Sequence, residues 1–243
     1  MAEKILNCVA ISGTDGSGKY TTSTYLAKII EQLSGKLTEV VSFPQHGTVQ
    51  GELVDHFLYK GLRFNGEEFQ KAVREGLLYS IDRMVTMTKI QENGKTLADE
   101  IRNGEKFVIF DRYLESNFVH RCKTMSDDSL ESYIELMEIV EFEMMGIPKP
   151  DITFMLKVDP EISYQNIINR GREMDENESL ENIKASYEKI DKLCKMQGYI
   201  VIDCCKTVQP LPHEPEYRTM KKTEEIVDEI LKHIPLNNIK NDK

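Results

Sequence analysis

A short apolar run, Ile5–Ser12, passes directly into Gly13-Thr14-Asp15-Gly16-Ser17-Gly18-Lys19 and then into a stretch whose Leu26, Ile29, Ile30 and Leu33 share one helical face. This strand–GxxxxGK–helix unit constrains the chain more than any other feature, because it demands a buried strand, a glycine turn and a helix in one fixed order. The glycines let successive backbone N–H groups curl around phosphate oxygens, and the helix expected over Lys19–Leu33 adds the partial positive charge of its amino end. Lys19 supplies a full charge. One position departs from the pattern. Tyr20 stands where a serine or threonine hydroxyl is usual, and a phenol oxygen lies too far from the backbone to replace it. The neighbouring hydroxyl of Thr21 is rotated about 100° around the helix, so it cannot substitute either.

The rest of the chain repeats the same alternation of apolar strands and amphipathic helices. Further strands are expected at Leu37–Phe43 (stopped by Pro44), Lys106–Asp111, Asp151–Val158 and Tyr199–Asp203, giving five in all. A long helical region is expected from about Glu67 to Asn103, more helix within Ser116–Met145, and a last helix from Lys221 to His233. Strands separated by helices imply right-handed crossovers and a parallel α/β sheet covered on both faces. Ligands of such sheets bind beyond the carboxyl ends of the strands. Gly13, Phe43-Pro44, Asp111 and Asp203 all fall at such ends, so they are expected around one crevice. The Pro-rich stretch Gln209–Glu216 reads as a surface loop.

Composition narrows the classes of partner. A net charge of -10 argues against nucleic acid or an anionic membrane as the main partner. Five cysteines, with no C-x-x-C pair, argue against a disulfide framework or a zinc site and fit a reducing, cytoplasmic setting. No apolar run reaches membrane-spanning length, and the amino-terminal stretch lacks the features of a signal peptide. The 243 residues are expected to form a single domain with a short lid at about 169–178 and a disordered tail over 235–243.

With Asp15-Gly16 in its glycine loop, the chain resembles the thymidylate kinases. Asp111-Arg112-Tyr113 at the end of an apolar strand is similar to that family's DRY motif, and Leu114-Glu115-Ser116-Asn117-Phe118-Val119-His120 to the segment that follows it. Tyr79-x-x-x-Arg83, Ser42-Phe43-Pro44, Ile147-Pro148-Lys149-Pro150-Asp151 and Asp175-x-x-Glu178 match further segments in the right order, from about residue 5 to 205. The resemblance implies a P-loop NTPase fold and transfer of the γ-phosphoryl group of ATP to dTMP, with Mg2+, in a homodimer. It assigns Gly13, Asp15, Gly16, Ser17, Gly18, Lys19, Tyr20 and Thr21 to the ATP phosphates. It assigns Asp15, Phe43, Tyr79, Arg83, Arg112, Ser116, Asn117, His120 and Arg121 to dTMP. Within that set, Asp15 would accept from the sugar hydroxyl, Tyr79 would stack on the base and Arg83 would donate to a base carbonyl.

The chemistry of these residue types agrees. Phosphoryl transfer needs positioning and charge neutralisation more than covalent catalysis. Arg112 can clamp an acceptor phosphate with its planar fork, and Asp111 can either anchor magnesium through water or orient Arg112. Arg170 and Arg172 lie where a lid would close over the transferring group, and the acids beside them, Glu173 to Glu178, could pair with them. Blander readings exist for several of these. Asp111-Arg112 could be a structural ion pair, Tyr79 a core residue, Arg83 a solvated charge, and Ser116 and Asn117 helix caps. The chain also departs from the family at Arg121, where an amide is usual, at Gln45-His46, where many members have an arginine, and at Met174. These departures leave two alternatives: a kinase of the same fold with another nucleotide acceptor, or a non-catalytic nucleotide-binding protein.

Overall fold

In the computed structural model, which describes residues 5–171, 178–209 and 214–239, five strands form one parallel sheet. They are β1 (Cys8–Gly13), β2 (Thr38–Ser42), β3 (Phe107–Asp111), β4 (Ile152–Lys157) and β5 (Ile200–Asp203), in spatial order β2-β3-β1-β4-β5. All five are where the apolar runs placed them. β1 begins later than its run because the Asn7 and Cys8 amides donate to the Asp151 carboxylate instead of a neighbouring strand, at 2.8 and 3.1 Å. β1 lies at the centre and is buried along its whole length, with Val9 registered against Ile109 on one side and Ile152 on the other. A strand covered on both faces must be apolar at every position, which is why Cys8–Ile11 shows no polar alternation.

Successive β1 side chains point to opposite faces. Val9 and Ile11 enter a core with Leu26 and Ile30 of α1 (Lys19–Ser34) and Ile226, Val227 and Ile230 of α9 (Thr223–Leu231). Cys8 and Ala10 face a second core on the other side of the sheet. That side is built from α3 (Glu68–Thr88), α4 (Leu97–Arg102), α5 (Leu114–Arg121), α6 (Asp127–Glu138) and α8 (Leu180–Gln197). The helix α6 runs on into a π-helical segment, Ile139–Met144, and α7 (Pro160–Asn169) follows β4.

Three features differ from the sequence expectation. A separate helix, α2 (Glu52–Tyr59), precedes the long helical region. Two further strands, β6 (Cys205–Val208) and β7 (Tyr217–Met220), pair antiparallel, and their short segments carry no clear alternation. The carboxyl-terminal segment, expected to be disordered from 235, is packed as far as 239. Leu236–Asn238 forms a 3-10 turn, the Leu6 amide donates to the Asn238 carbonyl, and Ile239 is 4% exposed within the core that also holds Leu6. The lid residues 172–177, including Arg172, Met174 and Asp175, lie outside the described residues, as does 210–213 of the Pro-rich stretch.

Candidate active site

The glycine loop joins β1 to α1 as its spacing required. Gly13 and Gly16 both have positive φ, and a side chain at either would overlap backbone: the Leu156 carbonyl for Gly13 and the Ser163 carbonyl of α7 for Gly16. The Ser163 hydroxyl donates to the Asp15 carbonyl and the Asn166 amide to that of Gly16, so α7 props the loop from behind. Lys19 is buried. Its ammonium donates to the Thr14 carbonyl at 2.7 Å and to that of Gly13 at 3.1 Å, and it lies 3.9 Å from Asp15. Burial, and after it the Arg112 charge, pull its pKa down to about 7.

Arg112 follows the last residue of β3 and has φ 63°, a left-handed conformation unusual for a side-chain-bearing residue. Its amide donates to the Ile11 carbonyl, which ties the DRY turn to β1. Its Nη2 donates to Asp15 Oδ1 at 2.6 Å. Burial opposes the charge on Asp15, but Arg112 and then Lys19 outweigh it and hold the carboxyl well below its usual range. Asp111 accepts from the Ser42 hydroxyl at 3.0 Å through Oδ2, while its Oδ1 is buried without a hydrogen-bond partner.

Two cavities open at the carboxyl ends of the strands. One, of about 480 Å³, is lined by Gly16, Gly18, Lys19, Thr21, Asn166, Arg170 and Met220. The other, of about 330 Å³, is lined by Asp15, Phe43, Tyr79, Arg83, Ser116, Asn117 and His120, with Ser42, Pro44, His46, Leu58 and Tyr59. Asp111, Arg112 and Tyr20 line both, so the two spaces meet at these three residues. Tyr20 is 65% exposed; it stands at this junction and does not pack against the fold.

Most of the expected residues therefore converge, with corrections. Asp203 lines neither cavity: it accepts from Arg218 of β7 at 2.7 and 2.8 Å, because β5 is the edge strand and the hairpin covers its end. Arg121 pairs with Glu75 on α3 and lines a smaller neighbouring space of about 110 Å³ behind Tyr79, not the acceptor-side cavity. Ser116 and Asn117 are not caps; both lie inside α5, whose N-cap is Tyr113. The Ser116 and Ser12 hydroxyls share a hydrogen bond of 2.7 Å, and the Asn117 Nδ2 is buried without a partner. His120 is driven down to about 4 by burial, so it is neutral near pH 7. Arg170 lies 3.5 Å from Glu178, as the acidic lid sequence suggested.

Arg83 is not a solvated charge. It is 1% exposed, and its Nε and Nη2 donate to the Glu141 carboxylate at 2.8 and 2.6 Å. Two supporting acids were missed in the sequence. Asp82 accepts from the Gln45 amide at 2.9 Å and so anchors the loop after Phe43. Glu141 was legible in principle: it continues the inward row Leu130, Tyr133, Met137 of α6, where an apolar residue is the norm.

Among the described residues no group of three His, Cys, Asp or Glu could hold a metal by itself. The orphaned Asp111 Oδ1 at the junction of the cavities does fit a cation shared with nucleotide phosphates, which need only one or two protein carboxylates. No helix among the described residues is long and apolar enough to cross a membrane.

Comparison with known proteins agrees with this geometry. The family model for thymidylate kinase matches residues 11–212. A thymidylate kinase of Mycobacterium tuberculosis is 26% identical over 165 residues, covering 68% of this chain and 71% of that protein. A probable thymidylate kinase of Methanosarcina barkeri is 26% identical over 231 residues, covering 94% and 98%. The solved structure of the Candida albicans thymidylate kinase superposes with a TM-score of 0.62 at 20% identity, covering 98% of this chain and 96% of that one, and shares the fold. The chain belongs to the thymidylate kinase family.

Proposed function

We propose that the chain is a nucleoside monophosphate kinase that transfers the γ-phosphoryl group of ATP to dTMP, giving ADP and dTDP. The observation that supports this most directly is the meeting of two cavities at Asp111 and Arg112, one built on a glycine loop and Lys19, the other on Tyr79, Arg83 and Asn117. An acceptor phosphate oxygen attacks the γ-phosphorus as the bond to the β–γ bridging oxygen breaks, so the two substrates must face each other across such a junction.

In this reading the loop amides and Lys19 hold the donor phosphates. Arg112 offers guanidinium nitrogens to the acceptor phosphate and Arg170 reaches the transferring group from the lid side. By resemblance to the family, Arg172 is the alternative to Arg170 for that role. Asp15 is ionised and therefore an acceptor, which suits a sugar hydroxyl. Phe43 and Tyr79 enclose the base, Arg83 donates to it, and Ser116, Asn117 and the neutral His120 border the sugar and base. Magnesium, when bound with ATP, neutralises phosphate charge; Asp111 Oδ1 is the group available to hold it, directly or through water. We extend the family's homodimer to this chain, which light scattering would read as twice the 28.0 kDa protomer.

The test is ADP release with ATP and magnesium, comparing dTMP, dUMP, dCMP, dGMP and no acceptor. The expected result is the highest kcat/KM with dTMP. A different best acceptor overturns the assignment of dTMP, and nucleotide binding without turnover on any acceptor overturns the assignment of a kinase.

A further inference from the structure

We propose that Glu141 is the positioning residue that sets base selectivity, by holding Arg83 in a single orientation in which it can only donate. This deepens the reading above and rests on Arg83 facing the acceptor base.

The observations begin with two charges on two apolar stripes. Arg83 falls in the buried row of α3 with Ala72, Gly76 and Met87, and Glu141 falls in the buried row of α6 and its π-helical continuation. A lone charge at either place would be strongly disfavoured; together they form a bidentate pair, 1% and 0% exposed. Glu141 is further fixed by the Ser80 hydroxyl, which donates to Oε1 at 2.6 Å from one turn earlier on α3. The wide turn that presents Glu141 is secured by i→i+5 bonding, Met145 amide to Val140 carbonyl, and by the Ile147 amide on the Glu141 carbonyl.

The pair engages Nε and Nη2 of Arg83, and Nη1 takes part in neither bond. Arg83 also lines the acceptor-side cavity with Tyr79 and Asn117. A guanidinium held by two of its nitrogens cannot swing, so the remaining donors keep one direction. An arginine has no acceptor. It therefore matches a base carbonyl and leaves an exocyclic amino group facing another donor. Selectivity for an oxo-pyrimidine over an amino-pyrimidine then depends on the carboxylate behind Arg83 as well as on Arg83 itself.

The experiment measures KM and kcat for dTMP and dCMP, and KM for ATP, in wild type, Glu141→Gln, Arg83→Met, the double variant and Ser80→Ala, with thermal unfolding to compare folding. The expected result for Glu141→Gln is a rise of about tenfold in the dTMP KM and a fall in the dTMP-to-dCMP ratio of kcat/KM, with the ATP KM unchanged. Arg83→Met should lose the same selectivity and the double variant no more than that, since Glu141 acts through Arg83. Ser80→Ala, which removes one hydroxyl and leaves the ion pair in place, should move the ratio in the same direction by less. Unchanged selectivity in folded Glu141→Gln and in Ser80→Ala, alongside a loss in Arg83→Met, overturns the role of Glu141 and leaves Arg83 as the base contact. Unchanged selectivity in Arg83→Met overturns the base contact itself, and the proposal with it.

Discussion

Lys19 occupies an environment that a sequence pattern cannot describe. The motif says that a lysine is required; the fold seats its ammonium on the Gly13 and Thr14 carbonyls, and burial, with the Arg112 charge after it, brings its pKa down to about 7. Phosphates favour the charged form, so ATP binding should draw a proton onto Lys19 wherever the free side chain is neutral. At pH 8 this predicts an uptake approaching about one proton per ATP, falling towards none at pH 6, where Lys19 is already charged in both states. Calorimetry in buffers of different ionisation heat reads it directly, and Lys19→Arg, which keeps the charge at every pH, should abolish the lysine contribution. Tyr20 is the second residue-scale case. It removes the hydroxyl that usually assists a nucleotide-bound magnesium, and its ring stands exposed between the cavities. Tyr20→Thr should lower the magnesium concentration for half-maximal rate a few-fold, and an unchanged magnesium titration would count against this account.

At the scale of elements, the β6–β7 hairpin is the main addition to the expected plan. The register pairs Cys205 with Met220, and β7 is fastened by Arg218, which bridges Asp203 of β5 and Asp159 before α7. This brings Met220 against the glycine loop: its methyl lies 3.2 Å from where a Cβ on Gly18 would stand, and its sulfur accepts from Asn166 at 3.3 Å. The hairpin thus forms one wall of the donor-side cavity, and Met220→Ala should raise the ATP KM a few-fold while leaving the dTMP KM unchanged. The helix α5 carries a different kind of signature. Its Glu115 is buried with Oε1 unpartnered, and burial pushes its pKa up to about 7. From pH 4.5 to about 7 the folded chain keeps a proton that the unfolded chain has released, so this group's stabilisation is lost as pH rises through that window. The shift corresponds to at most about 3 kcal/mol. Glu115→Gln cannot titrate, so its melting temperature relative to wild type should climb between pH 5 and pH 8; a flat difference would show that Glu115 titrates normally.

For the whole molecule, function follows from where the order of strands in one parallel sheet reverses. Strand order β2-β3-β1-β4-β5 puts β1 between β3 and β4, so the glycine loop, the DRY turn and the Phe43-Pro44 turn open onto the same end. Glycine punctuation and period-two and period-3.6 patterns are local in the chain, and these were enough to place the five strands, the phosphate loop and α1; Tyr79, Arg83, Ser116, Asn117 and His120 are named through the family resemblance, and the fold sets them along one cavity. Pairings between distant residues were decided by tertiary structure alone. Nothing near Asp203 in sequence says that Arg218 will take it away from the crevice, nothing near Arg121 that Glu75 will pair with it, and nothing near Arg83 that an acid 58 residues later will hold it. The hairpin and the packed tail belong to the same class, since their short segments gain order from the surfaces they cover and not from a pattern of their own. The physical reason is that apolar burial is read from spacing along one element, whereas a buried charge is stable only beside a partner, and the fold alone brings that partner to it.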